Sequence, residues 1–475
     1  MYCSDSCKKR VQRLLAKGAD DSPTAGRGGT SPAKRDRRLG TTGETTDTQV
    51  TGGFSGPSAA KTDAGEAARD GRHLTREALQ HGVTEDRGLS RCGRSAVAGG
   101  VTVTTAGGFA HVTGVATCGK VHLCPVCAAK IRSARSAMLQ RAGTAWEEVG
   151  GEHQDVLLRA KSAWIRIDKG TAIGDEGQVL AAAEGRQAGG LGMLTLTLRH
   201  YERHTLKQLL AWQREAWKRS LGQNAGRAWR MAKVEYGVAG FVRAWEVTYG
   251  ENGWHPHWHI LVLFEQPLTP ERGAALEELI YQQWAAALRA VGAYLPDREH
   301  GVKLDLSGHG EGGALARYLM KYQDGKAAWT TAAEMTRQDI KAGREGHLTP
   351  FEIARSFLVG EPDPVKVGLW REYETDARGM RALYFSNGLK KRLALICDMD
   401  ERTDDQIAAE EAKGEPLAVF PAEVWHRHVV RHRGRSLALL RAAEKLGTVG
   451  VRTLAESWGL TWGQDVLDPP PPPAD

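Results

Sequence analysis

Two apolar, β-rich runs separated by a turn signal dominate the middle of the chain. Phe241-Val242-Arg243-Ala244-Trp245-Glu246-Val247-Thr248-Tyr249 leads through Gly250-Glu251-Asn252-Gly253 into His255-Pro256-His257-Trp258-His259 and then Ile260-Leu261-Val262-Leu263-Phe264. Asn-Gly between such runs is the strongest short-range hairpin signal, so the two should pair antiparallel. With Asn252-Gly253 as the loop, Glu251 faces Trp254, Thr248 faces His257 and Glu246 faces His259. Cross-strand partners share a face, and so do alternate residues along one strand. The three imidazoles therefore line up beside one carboxylate. A lone strand histidine is ordinary packing. Three with a glutamate opposite, on a strand otherwise apolar on both faces, are costly to bury unless used. Neutral imidazole is the commonest protein donor to transition metals. The pattern proposes a site of His257, His259 and Glu246, with His255 at its margin, and a slip of one residue at each end of the loop would preserve it.

A chain of 475 residues is too long for one core and should hold two or three domains. A hydrophobic content of 41% and 14 tryptophans argue for a folded protein. No run of 18 apolar residues exists, which excludes a spanning helix, and the first residues carry no signal-peptide pattern. A cytoplasmic protein without a membrane partner is expected. The net charge of +7 leans mildly towards polyanions.

Residues 1–85 are rich in Gly, Ser, Thr and charge, with Tyr2 and Phe54 as their only aromatics, and read as disordered. A cysteine-rich module follows at 86–150, with strands near Val101–Thr104 and Ala110–Val112 and a helix from about Val126 to Glu148. Residues 151–190 read as a connector, 191–325 as the catalytic domain and 326–460 as a mixed α/β extension. Residues 461–475 form a proline-rich tail.

Four cysteines, Cys92, Cys118, Cys124 and Cys127, are separated by 25, 5 and 2 residues. The Cys124-Pro125-Val126-Cys127 knuckle has the spacing that brings two thiolates to one tetrahedral zinc. Cys92 and Cys118, each followed by a glycine that eases a turn, would close a structural Zn²⁺ site, with His111 and His122 as spare donors. A redox pair would sit after a βαβ strand, which this context lacks. Further along, Leu315, Tyr318, Leu319 and Tyr322 follow i, i+3, i+4, i+7, so both tyrosines share one face of a helix, and Lys321 is three residues from Tyr318. Taken alone, that helix is ordinary core.

In combination these residues resemble the HUH endonucleases, and within them the rolling-circle replication initiators (Rep proteins) of small bacterial plasmids. His257-Trp258-His259 is similar to the family's paired histidines. Met193-Leu194-Thr195-Leu196-Thr197-Leu198 is similar to its preceding strand motif, and Tyr318-Leu319-Met320-Lys321 to its Y-x2-K motif. The stretch from Ala116-Thr117-Cys118-Gly119 to Cys127 resembles the plasmid branch. The resemblance covers roughly residues 90–325, with the motifs in the family's order. It implies an α+β fold: an HUH core with a ferredoxin-like five-stranded antiparallel sheet, the histidines on a central strand, a zinc module before it and an α/β extension after it. It implies Mg²⁺ or Mn²⁺ at the histidines and a tyrosine that attacks a scissile phosphodiester of single-stranded plasmid origin DNA. That attack yields a 5′-phosphotyrosine and a 3′-hydroxyl primer, with host helicase and DNA polymerase as partners. The chain departs from several plasmid initiators at Ala314, where they carry a glutamate. Glu311 or Tyr322 is left to serve termination, with Tyr318 as first nucleophile. The same core also builds transposases and relaxases, and a different class is a zinc-stabilised DNA-binding protein without catalysis.

Thr349-Pro350-Phe351-Glu352 reads as a capping box opening a helix to about Leu358. Six Lys/Arg against two acids between Pro421 and Leu446 make a candidate DNA-backbone surface or a solvated face. Residues 436–459 read as two helices around Gly447-Thr448-Val449-Gly450, a weak helix-turn-helix signal.

Overall fold

In the computed structural model, residues 63–97, 99–152, 186–308 and 347–469 are described, and all of them fall within one unit, Lys61–Asp475. The first half holds α1 (Asp63–Gln80), α2 (Arg87–Arg91), β1 (Gly100–Ala106), β2 (Phe109–Thr113), α3 (Pro125–Val149) and the short strands β3 (Gly151–Glu152) and β4 (Arg186–Gln187). Next come β5 (Gly190–Leu196), α4 (Leu206–Ser220), α5 (Arg227–Glu235), β6 (Val238–Gly250), β7 (Gly253–Phe264), α6 (Pro270–Ala290), α7 (Arg298–Gly301) and β8 (Val302–Leu306). The last part adds α8 (Pro350–Arg355), α9 (Pro364–Asp376), β9 (Tyr384–Phe385), α10 (Leu389–Ala394), α11 (Asp404–Ala409), β10 (Glu415–Pro421), α12 (Ala422–Val424) and α13 (Arg435–Ser457).

The class is α+β with antiparallel sheets. Five strands order as β8-β5-β7-β6-β9, so the histidine strand β7 is central, flanked by β5 and β6. The β6–β7 hairpin forms, but its register differs from the sequence expectation. Gly250 pairs with Gly253, Thr248 with His255, Glu246 with His257 and Ala244 with His259. The loop is therefore Glu251-Asn252, and Gly253 opens β7 at φ +82, a left-handed conformation that glycine adopts without a Cβ penalty. The slip is one residue at each end of the loop. Because side chains alternate with period two, Glu246 stays on the histidine face while its directly opposite partner changes from His259 to His257.

Trp258 points to the other face. There it meets Trp217 of α4 edge-on at 5.3 Å and Trp284 of α6 at 6.4 Å. α3 ties the cysteines to the sheet. Cys124 caps its first turn with Pro125 at the next position, and near its far end Trp146 Nε1 donates to the Phe264 carbonyl at 3.0 Å. Gly189 and Gly150 lie so close to Trp146 that a Cβ at either would collide with it.

α1 lies inside the stretch whose composition pointed to disorder. Of its few apolar residues, Ala68, Ala78 and Leu79 are buried. Its charges are matched by distant ones: Asp70 accepts from Arg441 at 2.6 Å, and Arg69 pairs with Glu444. Packing of its buried face, more than helix propensity, stabilises a helix of this kind. A second sheet, β10-β1-β2, joins the cysteine-bearing segment to the C-terminal segment, over a core that includes Val101, Val103, Phe420, Trp425 and Leu440. The capping box at Thr349 forms, and a 3-10 turn continues α8 to Leu358. α13 breaks at Gly447 (φ 57, ψ −141). Gly450 then packs on Ala442, where a Cβ would meet the carbonyl oxygen.

Candidate metal centres

Glu246 Oε2 lies 3.1 Å from His257 Nε2 and 3.0 Å from His259 Nε2. The ligand atoms of all three residues lie within 4.8 Å of one another, and Glu246 and His259 are buried. Burial works against the charged carboxylate, but the neighbouring His257 charge and the two hydrogen bonds outweigh it and hold Glu246 at about 2. Burial also works against an imidazolium at His257, yet Glu246 raises His257 above the usual histidine value. At His259 burial prevails, aided by repulsion from His257, and lowers it to about 4. The cluster thus favours a proton on His257 over one on His259.

The far nitrogens are also engaged. His257 Nδ1 donates to the His255 carbonyl at 3.3 Å, which leaves Nε2 aimed at Glu246. His259 Nδ1 lies 3.1 Å from Thr195 Oγ1, because β5 pairs Thr195 with His259. Such outer partners fix imidazole orientation at metal sites. Two imidazoles and one carboxylate converging from a rigid sheet suit a divalent cation such as Mn²⁺. His255 lies outside this trio. Its ring stacks on His200 at 4.8 Å, and burial together with the His257 charge keeps it neutral, down to about 2. His200 in turn donates from Nδ1 to the Asn252 carbonyl at 2.9 Å.

The four predicted cysteines also converge. Cys92 Sγ is 3.8 Å from Cys124 Sγ and 3.6 Å from Cys127 Sγ, and Cys118 Sγ is 3.7 Å from Cys127 Sγ. A tetrahedral ion with bonds of about 2.3 Å sets its sulfurs roughly 3.8 Å apart, so the tetrad has the dimensions of a thiolate zinc site. Gly93 and Gly119, the residues after two of the cysteines, take φ +71 and +62. Hydrogen bonds from the other sulfurs hold the Cys92 thiol far below its usual value, while burial pushes Cys124 well above. The buried Arg76 guanidinium sits beneath Gly93. Burial disfavours its charge, but Cys92, Cys124 and Cys127 outweigh that and raise it. The spare donors are not part of the tetrad. His111 sits on β2, and His122 is buried with Nε2 at 3.2 Å from the Arg381 carbonyl.

Tyr318, Lys321 and Tyr322, with Glu311 and Ala314, lie outside the described residues. Thr195 and His200 are the functional neighbours that sequence reasoning missed. Thr195 lay within a recognised strand motif, but its pairing with His259 depends on a register across 64 residues.

Comparison with known proteins places the chain among relatives. A family model described as "Replication protein" matches residues 176–288, which include Thr195, Glu246, His257 and His259. The chain is 32% identical over 382 residues to "Protein rep" of Streptomyces lividans, covering 73% of this chain and 79% of that protein. It is 30% identical over 181 residues to a "Neomycin resistance protein" of Streptomyces cyanogenus, covering 37% of each. No solved structure matches. By the extent of the Streptomyces lividans match and the family match over the histidine hairpin, the chain belongs to the Rep family of replication proteins, the plasmid initiators.

Proposed function

We propose that this protein nicks single-stranded plasmid origin DNA through a tyrosine and rejoins strands at termination. The observation that carries the reading is the trio in which His257 Nε2 and the buried His259 Nε2 converge on one oxygen of the buried Glu246. A divalent cation held by these three residues, Mn²⁺ or Mg²⁺, would polarise the scissile phosphate and stabilise charge in its transition state.

The chain's own residues supply the rest. Thr195 and the His255 carbonyl orient the two imidazoles. Tyr318 is the nucleophile: its oxygen forms the bond to phosphorus, the bond to the 3′-oxygen breaks, and a primer hydroxyl is left. A free tyrosine has a pKa near 10, and Lys321 is placed three residues on to favour the phenolate. The described residues on either side of this stretch flank the histidine strand. Ser307, after β8, bonds the Leu191 carbonyl, and Leu191 pairs with Leu263 at the end of β7. The chain is back at Leu348, which bonds Tyr249 in both directions, and Tyr249 pairs with Trp254 at the start of β7. The stretch carrying Tyr318 therefore begins and ends at opposite ends of the histidine strand.

Incubation of the full chain and Mn²⁺ with a single-stranded origin oligonucleotide should give a covalent adduct on a denaturing gel. Tyr318→Phe should abolish it. An adduct that persists in Tyr318→Phe but disappears in Tyr322→Phe would reverse the assignment. No adduct with any divalent cation would favour a zinc-stabilised DNA-binding protein without catalysis.

A further inference from the structure

A groove of about 970 Å³ opens between the cysteine module and the margin of the histidine sheet. Cys118, Gly119 and Lys120 line one side and β9 with its flanking residues lines another. Among the described residues β9 is one edge strand of its sheet, bonded to β6.

Seven Lys/Arg line this groove against three Asp/Glu, and four of the seven are paired with acids: Lys120 and Arg378 with Asp86, Arg135 with Asp404, and Arg402 with Asp400 and Glu410. Arg381 and Lys390 remain available to an anion. Arg381 is exposed and has no acidic partner among the described residues. Lys390, also exposed, lies over the Phe385 ring at 5.0 Å. One of the three acids is already committed, because Asp404 accepts from Arg135 at 2.9 Å.

An aromatic platform stands beside them. The Tyr384 side chain is 43% exposed, although most large aromatics of this sheet are buried. Its ring stacks with Phe241 at 6.2 Å, and the Arg243 guanidinium lies 5.0 Å from it. Arg243 is fixed in turn over Trp258 at 4.0 Å. Cations that can follow a phosphate backbone, next to a pre-set exposed ring, are what an unpaired strand requires. A duplex keeps its base faces stacked internally and would leave the ring unused. The groove is also tied to the histidine site. The Arg381 carbonyl meets His122 Nε2 at 3.2 Å, and His122 packs edge-on against Trp245 at 5.2 Å, the residue before Glu246.

We infer that this groove holds a single DNA strand, with phosphates on Arg381 and Lys390 and a base on Tyr384. The cysteine tetrad serves to build its wall. The inference rests on the single-stranded nicking reading and extends it to a strand-holding surface.

Anisotropy of a short fluorescein-labelled oligo-thymidine strand, with the full chain and no divalent cation, tests it. Arg381→Ala with Lys390→Ala should weaken binding about tenfold and reduce the slope of log affinity against log salt by about 1.4, from ~0.7 per lost phosphate contact. Tyr384→Leu should weaken binding about tenfold with the slope unchanged. Unchanged affinity and slope in both variants, or a loss confined to a duplex probe, would overturn the inference. Glu246→Gln separates the two readings, since it should remove nicking and leave strand binding intact. A wild type that never nicks therefore leaves the binding measurement standing.

Discussion

Thr195→Val tests whether the strand next to the histidines tunes the metal site. Threonine and valine have nearly the same shape, so the change removes one hydroxyl at 3.1 Å from His259 Nδ1 in a place where His259 is buried. In the metal-free protein, Nδ1 accepts from the threonine hydroxyl while Nε2–H donates to Glu246. When Nε2 takes a cation, the proton must sit on Nδ1 and the hydroxyl must accept it. The cation makes that N–H a stronger donor, so the bond strengthens on loading. A neutral hydrogen bond contributes about 1 kcal/mol and one to a charged group about 1.5–3 kcal/mol. The difference, roughly 0.5–2 kcal/mol, has its midpoint at about a tenfold loss of cation affinity, the lower end of what outer-partner changes cost. Titrating Mn²⁺ against nicking rate and against thermal midpoint would measure it. The expected result is a right-shifted curve that saturating Mn²⁺ restores, with Thr195→Ser close to wild type. An affinity within twofold of wild type, or a rate loss that Mn²⁺ does not rescue, would refute the positioning argument.

Three further outcomes follow from the same geometry. Replacing His255 by Ala should cost less nicking activity than replacing His257 or His259, since His255 stacks on His200 outside the trio; an equal or greater loss would promote it to a ligand. In the metal-free protein the raised His257 value stabilises the fold fully below the unfolded histidine value near 6.5, and that contribution fades as pH rises through the raised folded value. Cation binding has the opposite sign because it needs Nε2 unprotonated. Apparent Mn²⁺ affinity should climb with pH by about tenfold per unit below the raised value and then level off; calorimetry showing a flat profile would contradict this. Cys92→Ser should abolish bound zinc, read by elemental analysis, and lower the thermal midpoint by more than about 5 °C, whereas a variant that keeps both would exclude the thiolate tetrad.

Particular residues show why some of this was readable and some was not. The Asn-Gly signal, the alternating histidines and the cysteine knuckle are local patterns with short periods, so the hairpin, the trio and the tetrad could be named in advance. The register could not, because turn geometry at Gly253 chose between two loops that the pattern treats alike; the alternation of faces made the error harmless to the site. α1 was misread as disordered because its sparse apolar residues and its charges make sense only beside α3 and the distant Arg441 and Glu444.

By itself the sequence determined which atoms can bind metal and which face of which strand presents them, since covalent spacing and strand period suffice for that. Only the tertiary structure decided that Thr195 supports His259, that β1 pairs with β10 across the length of the chain, and that the segment from Cys118 to Leu123 and β9 line one groove. Each of these is a contact between segments far apart in sequence. It exists only once packing has set the strand order and register, which no local pattern encodes.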